Sequence, residues 1–241
     1  MTDRIPATLT LIGTIHRDPL GGDKLRSLLE QLSPDLLTLE MSPLALSFRQ
    51  GKSGQKLQRL DMILDRLSQT LGRELGQLKS HPAVVDIRSL LDFPFEYRAA
   101  AAFAKERGIG LGLIDLSEIS AIKLKRVETE LITYRNLKVL VNLPPCAEKT
   151  GGEDFGSARM LISPKLDETV RQAFLQRHRG EEGIGPRDRW MAGEIRRRLE
   201  QSPGRHLVHI GGWVHLVDDR EGETLYSLLK DCQPRRVLLE D

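Results

Sequence analysis

Two stretches of the chain close on the same pattern. LIGTIH, residues 11 to 16, and HLVHIGGWVH, residues 206 to 215, both run apolar residues into glycine and end on a histidine three positions later. A neutral imidazole nitrogen is a common metal ligand or general base, and a carboxylate beside it can be a further ligand or a proton acceptor. Two carboxylates stand at comparable places, Glu40 at the end of DLLTLE and Asp115 at the end of IGLGLID. Together His16, Glu40, Asp115 and His215 offer two nitrogen and two oxygen donors. Such a set suits a divalent ion such as zinc, manganese or cobalt, and the sequence does not choose among them. An ion held there polarises a carbonyl and activates water, so hydrolysis is the natural chemistry.

These residues act together only if the fold brings them to one place. Thr8 to Ile15 is short, β-branched and apolar, a strand buried on both faces. DKLRSLLEQL follows with Leu25, Leu28, Leu29 and Leu32 on one helical face, ended by Ser33-Pro34, and DLLTLE is a second strand. This strand, helix, strand succession predicts a βαβ unit with a parallel pair. Ligands gather at the carboxyl ends of parallel strands, where His16 and Glu40 fall. Glycine before each histidine is expected to let the chain leave its strand sharply without crowding the crevice.

Further along, residues 55–78 carry seven leucines at alternating spacings of three and four, a long amphipathic helix interrupted by Gly72 and Gly76. Its expected task is packing on the domain or a neighbouring subunit, with a homodimer the candidate assembly. Phe95 to Arg107 reads as a helix capped by Gly108, and IGLGLID as a third strand. Residues 139–160, with a Pro-Pro pair and Gly151-Gly152, read as a loop or flap. Helices are expected over 165–178, 186–200 and EGETLYSLLKD, with strands at HLVHI and RRVLLE. Met191, Ile195 and Leu199 share one face of the 186–200 helix. Arg187 and Arg189 in its first turn could bind an anionic group, and Asp188 suits a helix N-terminus. His81 and His178 read as surface residues; His206 and His209 lie on opposite faces of their strand.

Composition narrows the function. The 241 residues suit one α/β domain over 1–241. Lys and Arg number 36 against 34 Asp and Glu, a net +2 that predicts no nucleic-acid partner. No apolar stretch approaches membrane-span length and no secretory leader is visible, so the expected setting is cytoplasmic, with no membrane segment. Cys146 and Cys232 lie far apart, which argues against a disulfide framework. There is no Gly-x-Ser-x-Gly elbow and no phosphate-binding loop, and GIGLG enters a strand instead of opening a helix.

In order, GTIH, PDLLTLE, FEYRAAAAFAKERGIGLGLIDLS with IKLKR behind it, RDRWMAGEI and HIGGWVH resemble the TraB/PrgY-type family, which includes pheromone-shutdown proteins and Tiki-type metalloproteases. The resemblance runs from residue 9 to about residue 216. It implies an EreA/ChaN-like α/β fold, a largely parallel sheet flanked by helices, with both Gly-x-x-His motifs in one site. Carried onto this chain, it singles out His16, Glu40, Glu96, Asp115, Arg126, Arg187 and His215, with Glu96, Arg126 and Arg187 toward substrate. The chain departs in having Pro186 before Arg187-Asp188 where glutamate is frequent, and Asp-Leu-Ser after the third strand in place of Asp-Arg. The leading expectation is a metal-dependent hydrolase, a peptidase by resemblance. In it His16, Glu40, Asp115 and His215 are the candidate metal ligands, Glu40 serving as ligand or general base, and Arg187 holds substrate charge or the developing oxyanion. The alternatives are a protein that sequesters a peptide or small ligand in the same cleft without turnover, and a metal-independent esterase-like site with His16 as general base.

Overall fold

The computed structural model describes residues 7–16, 18–144 and 151–240, apart from the side chains of 151–154. In chain order the elements are β1 (Thr8–Thr14), α1 (Gly21–Leu32), β2 (Leu36–Leu39), α2 (Pro43–Gly51), α3 (Ser53–Leu71), α4 (Leu75–Lys79), α5 (Pro82–Leu91) and α6 (Phe95–Arg107). There follow β3 (Gly110–Leu113), α7 (Ser117–Arg126), α8 (Tyr134–Leu140), α9 (Gly151–Ile162), α10 (Glu168–Gln176), α11 (Pro186–Gln201), β4 (His206–Gly212), α12 (Leu225–Leu228) and β5 (Arg235–Leu238). The chain is α/β and divides into two compact units: residues 1–42, 95–116 and 150–241, and residues 43–94 and 117–149.

The first unit holds a five-stranded sheet, all parallel, in the order β3-β2-β4-β1-β5. Every residue of β1 after Thr8 is buried, as expected where helices cover both faces of a parallel sheet. Leu9, Leu11 and Leu207 pack on Met191 and Ile195 of α11 and on Leu225 and Leu229. α6 packs against α1 and over β2 and β3, with Ala100 and Phe103 buried. Each of the larger apolar side chains among these contributes roughly 1.5–3 kcal/mol by leaving water.

One expectation needs correcting. β1 and β2 are parallel but do not pair, because β4 lies between them. The fourth strand, arriving late in the sequence, is more apolar than an edge requires and takes the central place. The register Gly13↔Gly211, Thr14↔Gly212 and Leu39↔Ile210 then sets the carboxyl ends of β1, β4 and β2 side by side.

The second unit is helical. Leu60, Leu64, Leu67 and Leu78 of the leucine stripe are buried with Val84, Ile87, Leu91, Val127 and Leu137. The stripe is therefore absorbed by this unit's own core. It is two helices, not one: Gly72, at φ 63°, caps α3 in the left-handed conformation that glycine adopts without strain. α2 and α5 carry no expectation from the sequence. The stretch read as a loop is partly helical, since α8 reaches Leu140 and α9 starts at Gly151, while residues 145–150 lie outside the described residues. Among the described residues no helix is long and apolar enough to cross a membrane.

Candidate active site

The site lies at the carboxyl ends of the central strands, entirely within the first unit. Glu40 follows β2 directly, and its backbone N–H donates to Ile210 O at 2.9 Å, which locks the β2 end against β4. His16 comes two residues after β1, and His215 sits on the 3-10 turn Trp213–Leu216 that continues β4. All three, with Arg187, line one cavity of about 340 Å³.

The motif glycines work by close approach, not by sharp exit. Neither Gly13 nor Gly212 has a positive φ, and both remain within their strands. A Cβ on Gly13 would stand 2.9 Å from Trp213 Cα, and one on Gly212 would stand 3.1 Å from His16 Nε2. The two motifs thus pack against each other: the first glycine admits the second motif's turn, and the second admits the first motif's histidine.

Each imidazole is held at Nδ1 by a buried carboxylate. His215 Nδ1 donates to Asp188 Oδ1 at 2.7 Å, and Asp188 also accepts from Leu225 N at 2.7 Å. His16 Nδ1 pairs with Glu96 Oε1 at 2.8 Å, where the Thr14 hydroxyl also lies at 2.9 Å. Glu96 Oε2 and Asp188 Oδ2 are buried without a hydrogen-bond partner.

Glu40 joins the two halves. Oε2 accepts from Gly212 N at 2.7 Å; Oε1 accepts from Arg187 Nη2 at 2.6 Å and lies 3.2 Å from His215 Nε2. Burial opposes ionisation of Glu40, but the His215 and Arg187 charges outweigh it and hold the carboxyl well below its usual range. Burial also opposes a charge on His215, yet the flanking Glu40 and Asp188 raise it to about 10. His16 is raised as well: the partial desolvation of its ring at the cleft works against it, while the Glu96 hydrogen bond and the Glu40 charge prevail. With its side chain 62% exposed, His16 is subject to more solvent screening than His215.

Arg187 donates through Nε to Asp115 Oδ1 at 2.9 Å and through Nη2 to Asp115 Oδ2 at 2.8 Å, in addition to Glu40. Its charge is therefore matched by two carboxylates within the protein. Asp115 is brought to the site, but through Arg187, with both oxygens on the guanidinium. Glu96, 3% exposed, supports His16 from beneath. Arg126 belongs to the second unit, exposed in the last turn of α7. Among the described residues, no group of three or more His, Cys, Asp or Glu side chains is gathered so that it could hold a metal ion as the side chains stand.

Three residues of the site escaped the sequence reading. Asp188 is fully buried, in phase with Met191 and Ile195 on the apolar stripe of α11, and that phase is a signal for a partnered core charge. His178 and Trp213 line the cavity through contacts that no spacing predicts. His209, the remaining histidine of β4 near the site, is buried; burial pushes its pKa down to about 3 and Thr38 Oγ1 lies 3.1 Å from Nδ1. It is a neutral core residue.

No protein-family model matches the chain, and no match is found among curated proteins or solved structures.

Proposed function

We propose that this cleft hydrolyses an amide or ester, with a divalent ion held by His16, His215 and Glu40. The observation that carries the reading is the pairing of two imidazoles, each with Nδ1 on a buried carboxylate, with Glu40 3.2 Å from the second ring and its charge acting on the first. Carboxylate-backed histidines are the usual supports of a metal site, since the carboxylate fixes the tautomer and raises the basicity of Nε2. The charge balance supports it further. Glu40 and Asp188 flank His215 and require a positive charge between them, which a proton supplies in the ion-free chain. An ion taking that place would draw on the same attraction.

When bound, such an ion supplies Lewis-acid polarisation of the carbonyl. Everything else falls to the chain's own side chains. Glu96 and Asp188 hold the two rings, Gly212 N–H fixes one oxygen of Glu40, and Arg187 keeps that carboxylate ionised. Fixed at one oxygen by Gly212 N–H and at the other by Arg187, Glu40 is a ligand in this reading. Asp115 orients Arg187. In the overall reaction, water's oxygen bonds to the carbonyl carbon, the C–N or C–O bond breaks, and the leaving group takes a proton.

The resemblance to Tiki-type metalloproteases and to the EreA/ChaN-like fold is retained in this reading. It is supported by the fact that four of the seven residues carrying it, Glu40, Asp115, Arg187 and His215, form one ion-paired group, with the His16–Glu96 pair close enough for the Glu40 charge to raise His16. The second reading, sequestration without turnover, is favoured by the saturation of Arg187 and Glu40, which leaves neither free to serve a transition state.

The test is calorimetry of the chelator-treated chain with Zn²⁺, Mn²⁺ and Co²⁺, followed by assay on peptide and ester panels. Binding of one ion that is lost in both His16→Ala and His215→Ala, with turnover that follows it, is the expected result. Absence of ion binding sinks the metal reading. Ion binding with ligands recovered intact leaves the sequestering protein.

A further inference from the structure

Two unlike sets of side chains line the cavity: His16, Glu40, Arg187 and His215 on the one hand, and Ile15, Ile184, Val214 and Trp213, with His178, on the other. Trp213 follows Gly212, whose N–H fixes Glu40, and opens the turn that carries His215, so the apolar lining is tied to the reacting groups through the same few residues.

The apolar lining is preformed. The Trp213 ring stacks on Phe174 with centroids 5.4 Å apart, and Phe174 meets the His178 ring at 4.2 Å. His178 Nδ1 donates to Phe174 O at 2.9 Å, which fixes the imidazole against its neighbour. Ile184 N donates to His178 O and Gly180 N to Ile184 O, so the loop from His178 to Ile184 closes on itself. At Gly183 a Cβ would lie 2.1 Å from His178 O, a position only glycine can occupy. Trp213 and Val214 also pack against Leu161, Leu175, Ile184 and Val217.

Resting on the hydrolytic reading above, we propose that Trp213, with Ile184 and Val214, is a specificity subsite for one apolar or aromatic side chain next to the scissile bond. A charged side chain seated there would lose water without gaining a partner, and glycine would leave the tryptophan face uncovered. At about 340 Å³ the cavity is near the small end of ligand sites, so it takes one residue and its scissile group, not a long peptide.

The experiment uses the full chain loaded with ion and N-acetyl amino-acid ethyl esters of Gly, Ala, Leu, Phe, Lys and Glu. The expected kcat/KM for Leu and Phe exceeds that for Gly by about ten- to a hundredfold, the usual worth of one buried apolar side chain. Trp213→Ala collapses that ratio, and Trp213→Phe, which keeps the stack, restores most of it. Turnover that is flat across side chains, or highest for Lys or Glu, overturns the subsite while leaving the hydrolase intact. If no ester is turned over, the hydrolytic reading fails and the subsite is judged by binding alone. Trp213 and Trp190 are the two tryptophans, so Trp190→Phe leaves a single reporter. Its fluorescence should respond to N-acetyl-phenylalaninamide at a concentration at least about tenfold below that needed for N-acetyl-glycinamide. Equal response to the two amides, or none, overturns the proposal.

Discussion

Arg187→Met tests the charge architecture that the site depends on. Methionine roughly preserves the buried volume but removes three charge-assisted hydrogen bonds, two to Asp115 and one to Glu40, at 2.6 to 2.9 Å. Both carboxylates are then left in a setting where the Glu40 and Asp115 side chains are only 6% and 10% exposed. Removing one member of a buried ion pair costs about 3–5 kcal/mol, much of it the desolvation of the partner left behind. Against a total stability of about 5–15 kcal/mol, the variant should melt roughly 6–20 °C lower near pH 7. The loss should depend on pH with a definite sign. In the native chain Glu40 titrates below its unfolded value, so its contribution is present above about pH 4.5 and disappears as pH falls through the lower folded value. Without Arg187 that depression shrinks, and the gap between variant and native chain should narrow on acidification. Urea unfolding from pH 7 down to about pH 2.5, in chelator, spans that window and measures it. In an Asp115→Asn background the same substitution should cost less, by a coupling of about 0.5–3 kcal/mol. A loss under about 1 kcal/mol, or one that is unchanged by Asp115→Asn and by acid, would refute the reasoning.

Other consequences follow from the same geometry. In chelator, the stability supplied by His215 should be complete below about pH 6.5 and fall away as pH rises through about 10; a ring titrating at its ordinary value in NMR would contradict this. Asp188→Asn should move that loss to lower pH, because it removes one of the two flanking charges. Gly13→Ala should destabilise by about 1–3 kcal/mol, since the added methyl meets Trp213 and Leu216 at 2.9 Å; a neutral result in thermal melts would show that the turn can retreat. Ion affinity should rise with pH and its binding should release protons, seen as a buffer-dependent heat, because both histidines are protonated more readily than usual.

The strands that carry His16, Glu40 and Asp115 were legible because each is a short apolar run followed by a polar break, and parallel strands put their last residues on one edge. The order of those strands was not. That β4 enters between β1 and β2 depends on how helices separated by many residues cover the sheet, and it is this insertion that sets His215 between His16 and Glu40. Similarly, the leucines of residues 55–78 announced burial but not its partner, which is the second unit's own core. The carboxylates behind the histidines illustrate the same limit: Glu96 is 80 residues from His16 and Asp188 is 27 from His215, and no spacing rule relates them.

The three histidines of HLVHIGGWVH show what such a stretch can and cannot disclose. His206, at the start of β4, is half-buried, with Nε2 2.9 Å from Thr10 Oγ1 and Nδ1 3.2 Å from Leu32 O, and it serves the closed end of the sheet. Three residues on, His209 is enclosed with a single hydroxyl partner, and desolvation drives it to about 3. Six further on, His215 is equally enclosed, yet two carboxylates carry it to about 10. Distance along the strand indicates which ring is central and which lies past the end. The direction of each shift comes from residues that arrive from elsewhere in the chain, Asp188 on α11 and Glu40 on β2. Burial alone would have made His215 as neutral as His209, and the difference between them is the work of two charges. The chemistry proposed for this cleft therefore resides less in the Gly-x-x-His motifs themselves than in the acids the fold sets against them.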